Sequence, residues 1–332
     1  MIYPWQQSAW HQLAAQWANR PNAWLFTGRR NTGKTAFARH LAQALLCEQP
    51  QAGHQPCGSC PSCHLFAQGS HPDYYELAPE LPAEGESGRK LLQIKIDAVR
   101  AVLSPLLQSS VRGGLRVVLV QPAETMNTQA ANALLKMLEE PPAAVVFLLV
   151  THNKDRLLPT IKSRCRPFLL PAPSAEEALG YLKTHGSHDA AQAEALLAFH
   201  SGAPLFAAEP EQDALREELC QLLARPRLLA MLDYAAAFDK QKWPLAVFLD
   251  WLHKWLADTA LAQQKLPPLY YPQHQAALFQ VASRTAGQPL FGLVQRLNRL
   301  SPYGRHTLSV RMQIENLLID YLAFWQNKPS TY

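Results

Sequence analysis

Two stretches in the first half of the chain are apolar at nearly every position, 116–120 (RVVLV) and 144–150 (AVVFLLV). Runs of β-branched and aliphatic residues without polar alternation suit strands of a parallel sheet covered on both faces. A shorter run, 23–26 (AWLF), reads as a third buried strand, and 73–78 (DYYELA) as a fourth. Between them the apolar spacing lengthens to the helical period. Helices are predicted over 34–46, from an Asp97 N-cap to about Gln108, and over 127–140, where Pro141 and Pro142 stop the helix. In the last of these Ala131, Leu134, Leu135 and Leu138 share the face that packs on the sheet, leaving Lys136, Glu139 and Glu140 exposed. Strands alternating with helices predict βαβ units in an open α/β sheet. The polar stretch 81–90 (LPAEGESGRK) reads as a mobile loop.

Past residue 170 the strands stop. Ser174 and Glu177 form a capping box, and from there the 3.6-residue period runs onward. The expected division is an α/β part over 1–171 and two all-helical parts over 172–208 and 209–332, split near 208–213 (AEPEQD). Trp243, Trp251 and Trp255 recur at helical spacing among Leu and Phe and read mainly as core.

With 48% hydrophobic and 17% charged residues over 332 positions, the chain has apolar faces enough for two or three domains. Its 31 Lys and Arg against 26 Asp and Glu leave +5, which fits ordinary surface charge as well as proximity to nucleic acid. The start of the chain lacks a basic-then-apolar leader, and the longest apolar run, 143–150, is far too short to span a bilayer. The expectation is a soluble, cytoplasmic protein with no membrane partner. In that compartment six cysteines suit metal binding or free thiols better than disulfides.

The most specific local chemistry is 26–35 (FTGRRNTGKT), where Gly28 is followed after four residues by Gly33, Lys34 and Thr35. An apolar strand enters this loop and a helix leaves it, the setting of a phosphate-binding loop. Backbone N–H groups over Gly28, Asn31, Thr32 and Gly33 would cradle phosphates, Lys34 would reach the outer ones, and Thr35 would hold Mg²⁺, so ATP or ADP is the expected ligand. Hydrolysis needs an acid at the end of a neighbouring strand, yet 117–120 runs into Gln121 and Pro122. Glu124 lies three residues further on, out of register for a direct substitute. Binding without independent turnover is the expectation.

Cys57, Cys60 and Cys63 are spaced two apart by turn-forming residues, and Cys47 ends the preceding helix. Four thiolates so arranged predict a closed structural Zn²⁺ site. An iron–sulfur cluster shares the spacing, but its usual following Cys-Pro is absent. His54 and His64 read as bystanders, Cys165 and Cys220 as isolated.

The phosphate loop, the cysteine knuckle after its helix, HPDYYEL (71–77), AANALLKMLEEPP (130–142) and SRC (163–165) occur in that order. Over residues 20–170 this set resembles bacterial DNA polymerase III clamp-loader subunits of the AAA+ type. The resemblance implies a P-loop α/β domain with a zinc module at 47–63, then a small helical lid and an all-α collar. It also implies a five-subunit ring with gamma/tau and delta partners, which loads a sliding clamp on primed DNA. Two departures set this chain apart from the gamma/tau motor. That subunit should carry Asp-Glu where Gln121 and Pro122 stand, and a lid arginine after Ser-Gly, where Ala203 and Pro204 follow with no arginine before residue 215. They point to the non-hydrolysing, stator-like member of the ring, although an intact loop is itself a departure, some such members having lost theirs. In that reading Arg164 of Ser-Arg-Cys is a finger acting in trans on a neighbour's γ-phosphate. Read from the residues alone, Arg164 beside Lys162 and Arg166 complements a helix C-terminus. Lys136 is a candidate contact for DNA phosphates. The alternatives are an ATP-hydrolysing motor subunit and a P-loop nucleotide kinase. A kinase would need an arginine-rich lid that the sequence lacks, and it leaves the knuckle unexplained.

Overall fold

The computed structural model describes residues 2–80, 92–186, 189–207, 209–285, 290–300 and 309–326. The stretch 81–90, expected as a mobile loop, lies outside them. The chain divides into two compact units, the first built from residues up to 80 with Leu92–Gly180 and Ala203–Leu205.

The first unit is a parallel five-stranded sheet: β1 (Ala23–Thr27), β2 (Tyr74–Leu77), β3 (Arg116–Val120), β4 (Val145–Val150) and β5 (Arg166–Leu169), in the order β2-β3-β4-β1-β5. Register follows from the pairings Tyr74 with Val117, Val118 with Phe147, Leu25 with Leu149 and Phe26 with Phe168. Every residue of β3 and β4 is buried. Alternate residues serve opposite layers, as the pleat dictates. Trp24, Phe26, Val117, Leu119 and Leu148 pack under α1 (Gln7–Ala14) and α2 (Lys34–Leu46). Leu25, Val118, Val120, Phe147 and Leu149 pack against α4 (Ile96–Leu103), α5 (Thr128–Glu139) and α6 (Pro159–Lys162). The short α3 (Pro61–Ala67) follows α2.

The expected face of α5 is buried at Ala131, Leu134 and Leu138 and half-buried at Leu135, with Lys136, Glu139 and Glu140 exposed. Asp97 is not an N-cap. The backbone of Ile94 bridges to Met126 and exchanges hydrogen bonds with Thr125 and Asn127, so the chain enters α4 earlier, with Lys95 extended at the cap and Asp97 in the first turn. Nor does that helix reach Gln108. Pro105 has no N–H to donate back to the Ala101 carbonyl, so the ladder cannot continue, and the α-helix ends at Leu103 with a short 3₁₀ turn beyond.

At the capping box the Glu177 N–H donates to Ser174 Oγ (3.2 Å) and the Ser174 N–H to Glu177 Oε2 (2.8 Å), opening α7 (Ala175–His185), which leads into the second unit. That unit is all helical among the described residues: α8 (Ala190–Phe199), α9 (Pro210–Ala224), α10 (Leu228–Lys240), α11 (Leu245–Gln263), α12 (Gln275–Arg284), α13 (Phe291–Leu300) and α14 (Val310–Trp325). Its single core takes Phe199, Leu219, Phe238, Phe248 and Leu318 together with Trp251 and Trp255, and Trp243 packs half-buried at its side. Inside it Trp255 donates to the Tyr321 hydroxyl (3.0 Å), which donates to the Leu223 carbonyl (2.9 Å). The buried Asp258 carboxylate accepts the N–H groups of Leu269, Tyr270 and Tyr271 at 2.7–3.2 Å and so holds the turn after α11. No described helix is long and apolar enough to cross a membrane.

Candidate functional site

The glycine loop leaves β1 and closes on the first turn of α2. Gly28 (φ 142°) and Gly33 (φ 88°) take backbone conformations that a side chain resists. A Cβ on Gly28 would lie 2.9 Å from the Leu170 carbonyl oxygen, and one on Gly33 would lie 2.5 Å from the Tyr3 ring. Asn31 is left-handed as well (φ 58°), and the buried Thr32 hydroxyl donates to the Arg29 carbonyl (2.9 Å). Trp5 Nε1 and Gln6 Nε2 each donate to the Thr32 carbonyl (3.0 Å), which fixes the outer side of the loop. Lys34 is buried and donates to the carbonyls of Gly28 (2.9 Å) and Arg29. Burial pulls its pKa down to about 8, opposed by the negative charge of Glu124. Thr35 is the second residue of α2 and half-buried. The five residues expected on the phosphates and Thr35, expected on Mg²⁺, therefore lie in one loop and helix start, with close approaches at Gly28 and Gly33 that leave no room for a side chain. The Leu205 N–H donates to the Asn31 carbonyl (3.2 Å), so the 203–205 segment reaches this loop carrying Ala, Pro and Leu rather than arginine.

The ends of β2 and β3 show what became of the acidic position. Gln121 follows β3 directly and donates through Nε2 to Glu76 on β2. Glu76 also takes Arg39 (2.6 Å) and the Tyr74 hydroxyl (2.8 Å). Burial works to raise the Glu76 carboxyl, yet Arg39, Tyr74 and Gln121 together hold it below its ordinary value. Both polar residues here are engaged with each other. Glu124 sits in the 3₁₀ turn Ala123–Thr125, where Oε1 accepts the His152 N–H (3.0 Å) and Oε2 is buried without a hydrogen-bond partner. The strand end is the expected loop, but Glu124 turns inward far enough for its charge to act on Lys34, which spacing along β3 did not reveal.

Cys47, Cys57, Cys60 and Cys63 converge, with all four sulfurs within 4.8 Å of one another. Cys47 and Cys60, and Cys57 and Cys63, stand 3.9 Å apart. Backbone N–H groups point at the sulfurs: Cys57 to Cys47 (3.3 Å), Cys60 to Cys57 (3.3 Å) and Cys63 to Cys60 (3.4 Å). The N–H groups of Ser59 and Cys60 bring the Cys57 thiol down to about 6, whereas burial pushes Cys63 up to about 12. Four thiols around one centre fit a metal ion with all its positions filled by protein. His54 stacks on Trp17 (4.4 Å) and, like His64, is not among the converging ligand atoms. Cys165 and Cys220 are buried and unpaired.

A polar network that sequence reasoning missed ties this knuckle to the sheet. The buried Asp73 accepts the N–H groups of Val111 (2.9 Å) and Arg112 (3.0 Å) and the Ser110 hydroxyl (3.0 Å). Arg112 reaches Glu48 (2.5 Å) and Ser62 (3.0 Å), and His71 meets Ser62 (3.2 Å). The signal was present in HPDYYEL, whose first and third residues are these two buried polar groups.

Arg164 follows α6 at the surface, 32% exposed at its side chain. Nη1 donates to the Thr160 carbonyl (2.9 Å) and Ser163 Oγ (3.2 Å), and Nη2 pairs with Glu139. A cleft of about 440 Å³ opens beside it.

A glycine loop of phosphate-binding type on a parallel sheet covered by helices on both sides, with four converging cysteines after the loop's helix, defines a P-loop α/β protein with a cysteine module that could hold a metal ion. Comparison with known proteins narrows this. A family model described as DNA polymerase III, delta subunit, matches residues 5–174. The DNA polymerase III subunit delta' of Pseudomonas aeruginosa is 42% identical over 258 residues, 76% of each chain, and that of Escherichia coli is 38% identical over 264 residues, again 76% of each. The subunit delta' of Yersinia pestis is 33% identical over 344 residues, 99% of this chain and 96% of its own. The chain belongs to the DNA polymerase III delta-prime family.

Proposed function

We propose that this chain, a clamp-loader subunit of delta-prime type, binds ATP or ADP without hydrolysing it and contributes to hydrolysis by presenting Arg164 to a neighbouring subunit. The observation that carries the reading is Gln121. It occupies the place of the metal-holding acid and is bound to Glu76, which is itself neutralised by Arg39. With Gln121 in place of an acid at the end of β3, the nearby Glu76 already paired with Arg39, and no arginine in the 203–205 segment, the loop can hold phosphate but lacks the groups that position water and spread charge. Gly28, Asn31, Thr32, Gly33 and Lys34 would hold the phosphates, and Thr35 the Mg²⁺ that neutralises them. Arg164, at the surface after a helix end, is a fixed cation with planar donors suited to a phosphate outside its own chain.

In this reading 1–171 is the AAA+ domain, 172–208 the lid and 209–332 the collar that joins gamma/tau and delta subunits in a five-membered ring, and the whole places a sliding clamp on primed DNA. Zinc is the ion we propose for the four cysteines. With zinc–sulfur bonds of about 2.3 Å, tetrahedral sulfurs stand about 3.8 Å apart, close to the 3.9 Å of the Cys47–Cys60 and Cys57–Cys63 pairs, and all four lie within 4.8 Å of one another. Bound there it would cross-link the knuckle rather than take part in chemistry.

The test is to titrate the purified chain with Mg²⁺ and ATP and to follow phosphate release. Saturable binding without turnover supports the reading. Turnover removed by Lys34→Ala would restore the motor alternative, and Glu124, whose charge acts on Lys34, would then be the acid to substitute.

A further inference from the structure

We propose that Glu139 parks Arg164 against its own subunit and thereby sets how readily this arginine is released to a neighbour's phosphate; the inference rests on the reading of Arg164 as a trans-acting finger. In the structure the guanidinium is folded back. Two contacts hold Nη1 to the preceding helix, and Nη2 is paired with the Glu139 carboxylate. A guanidinium bound to a carboxylate has its charge already neutralised, and a phosphate approaching the pair meets a like charge. Arg164 therefore acts only after leaving Glu139, and a γ-phosphate, which accepts the same planar donors, is the group that displaces the carboxylate.

The placement of Glu139 argues that the pair is not incidental. Glu139 is the last residue of α5 and is followed by Glu140, Pro141 and Pro142. A carboxylate in the last turn opposes the helix dipole, so the helix alone would favour lysine or glutamine there. The acid gains its reason from the cation across from it. The pair is also accessible, with Arg164 32% and Glu139 47% exposed at the side chain. The neighbouring cleft, lined in part by Pro21, Asn22 and Ser163, gives the guanidinium space to turn away. Arg164 Nε is buried and makes no hydrogen bond in the parked position, so leaving sacrifices nothing at that atom. A half-exposed pair biases such an equilibrium about two- to five-fold, firm enough to hold and weak enough for a partner to undo.

The experiment is steady-state ATP hydrolysis by the reconstituted complex, with substitutions in this subunit only. Glu139→Gln should raise kcat about two- to five-fold with KM for ATP unchanged, Glu139→Asp should restore the parent rate, and Glu139→Gln should have no effect once Arg164 is lysine. Thermal melting of each purified variant checks that the chain remains folded, and Glu139→Ala supplies a second substitution if glutamine disturbs it. If Glu139→Gln leaves kcat unchanged while Arg164→Ala still lowers it, the parking role is overturned and the finger stands. If Glu139→Gln lowers kcat, Glu139 aims the arginine productively and parking is likewise overturned. If Arg164→Ala has no effect on the complex, the finger reading fails and the inference falls with it.

Discussion

Replacing Asp73 with alanine removes the buried carboxylate that fastens the turn 110–112 to the start of β2. Three donors lose their acceptor, two N–H groups at 2.9 and 3.0 Å and one hydroxyl at 3.0 Å. Each hydrogen bond to a charged group contributes about 1.5–3 kcal/mol, so complete loss would cost about 4.5–9 kcal/mol. Val111 and Arg112 are themselves exposed, however, and water can reach their freed N–H groups. That hydration reduces the expected cost to about 2–5 kcal/mol, while Asp73→Asn, which keeps one acceptor oxygen, should cost about 1–3 kcal/mol. Because the chain has two compact units, a global unfolding free energy is a poor readout. Native-state amide exchange is local, and 2 kcal/mol corresponds to about 30-fold. In Asp73→Ala the amides of Val111 and Arg112 should exchange at least about 30-fold faster, while amides in the second unit stay unchanged. Unaltered exchange at both positions in a folded variant would refute the view that this carboxylate holds the turn.

Alkylation under native conditions should label no cysteine of the metal-loaded chain and four after chelation, counted by mass spectrometry. Cys165, whose thiol burial pushes up to about 12, and Cys220, raised by burial too, should stay unlabelled, and six labels would contradict the closed-site reading. The affinity for ATP should be flat up to about pH 8 and then fall by up to about tenfold per pH unit, because phosphate favours the Lys34 ammonium and binding above the free-state pKa must take up a proton. The same slope in Lys34→Met would assign it to another group. Asp258→Ala should destabilise the second unit by about 2–4 kcal/mol by stripping the acceptor from three backbone N–H groups, seen as a lower melting transition in tryptophan fluorescence. An unshifted transition would remove Asp258 from the account.

What could be read along the chain is what nearest neighbours decide. β3 and β4 are apolar on both faces because both are covered, and the glycine loop is legible because only glycine tolerates its close approaches to Leu170 and Tyr3. Cys57, Cys60 and Cys63 announce themselves by spacing, and Cys47 by ending the preceding helix. What escaped depends on partners far apart in sequence. Asp97 lost the cap because Ile94 pairs with Met126, and Gln121 is explained by Glu76, 45 positions away. Asp73 meets Arg112 across 39 positions. The place of Glu124 is tied to the backbone N–H of His152, two residues past β4 and 28 positions away in sequence. Arg164 stood out through its Ser-Arg-Cys setting, but nothing in the linear pattern linked it to Glu139.

The central claim is that this subunit's own pocket is silent while its arginine works in a neighbour's. The most direct measurement is the steady-state ATPase rate of the reconstituted complex with either Lys34→Ala or Arg164→Ala introduced into this chain alone. The account predicts that Lys34→Ala leaves the rate within about twofold and that Arg164→Ala lowers it by at least about tenfold, a conservative share of what such fingers contribute. A large loss with Lys34→Ala and none with Arg164→Ala would contradict it, placing the chemistry in this chain's own loop.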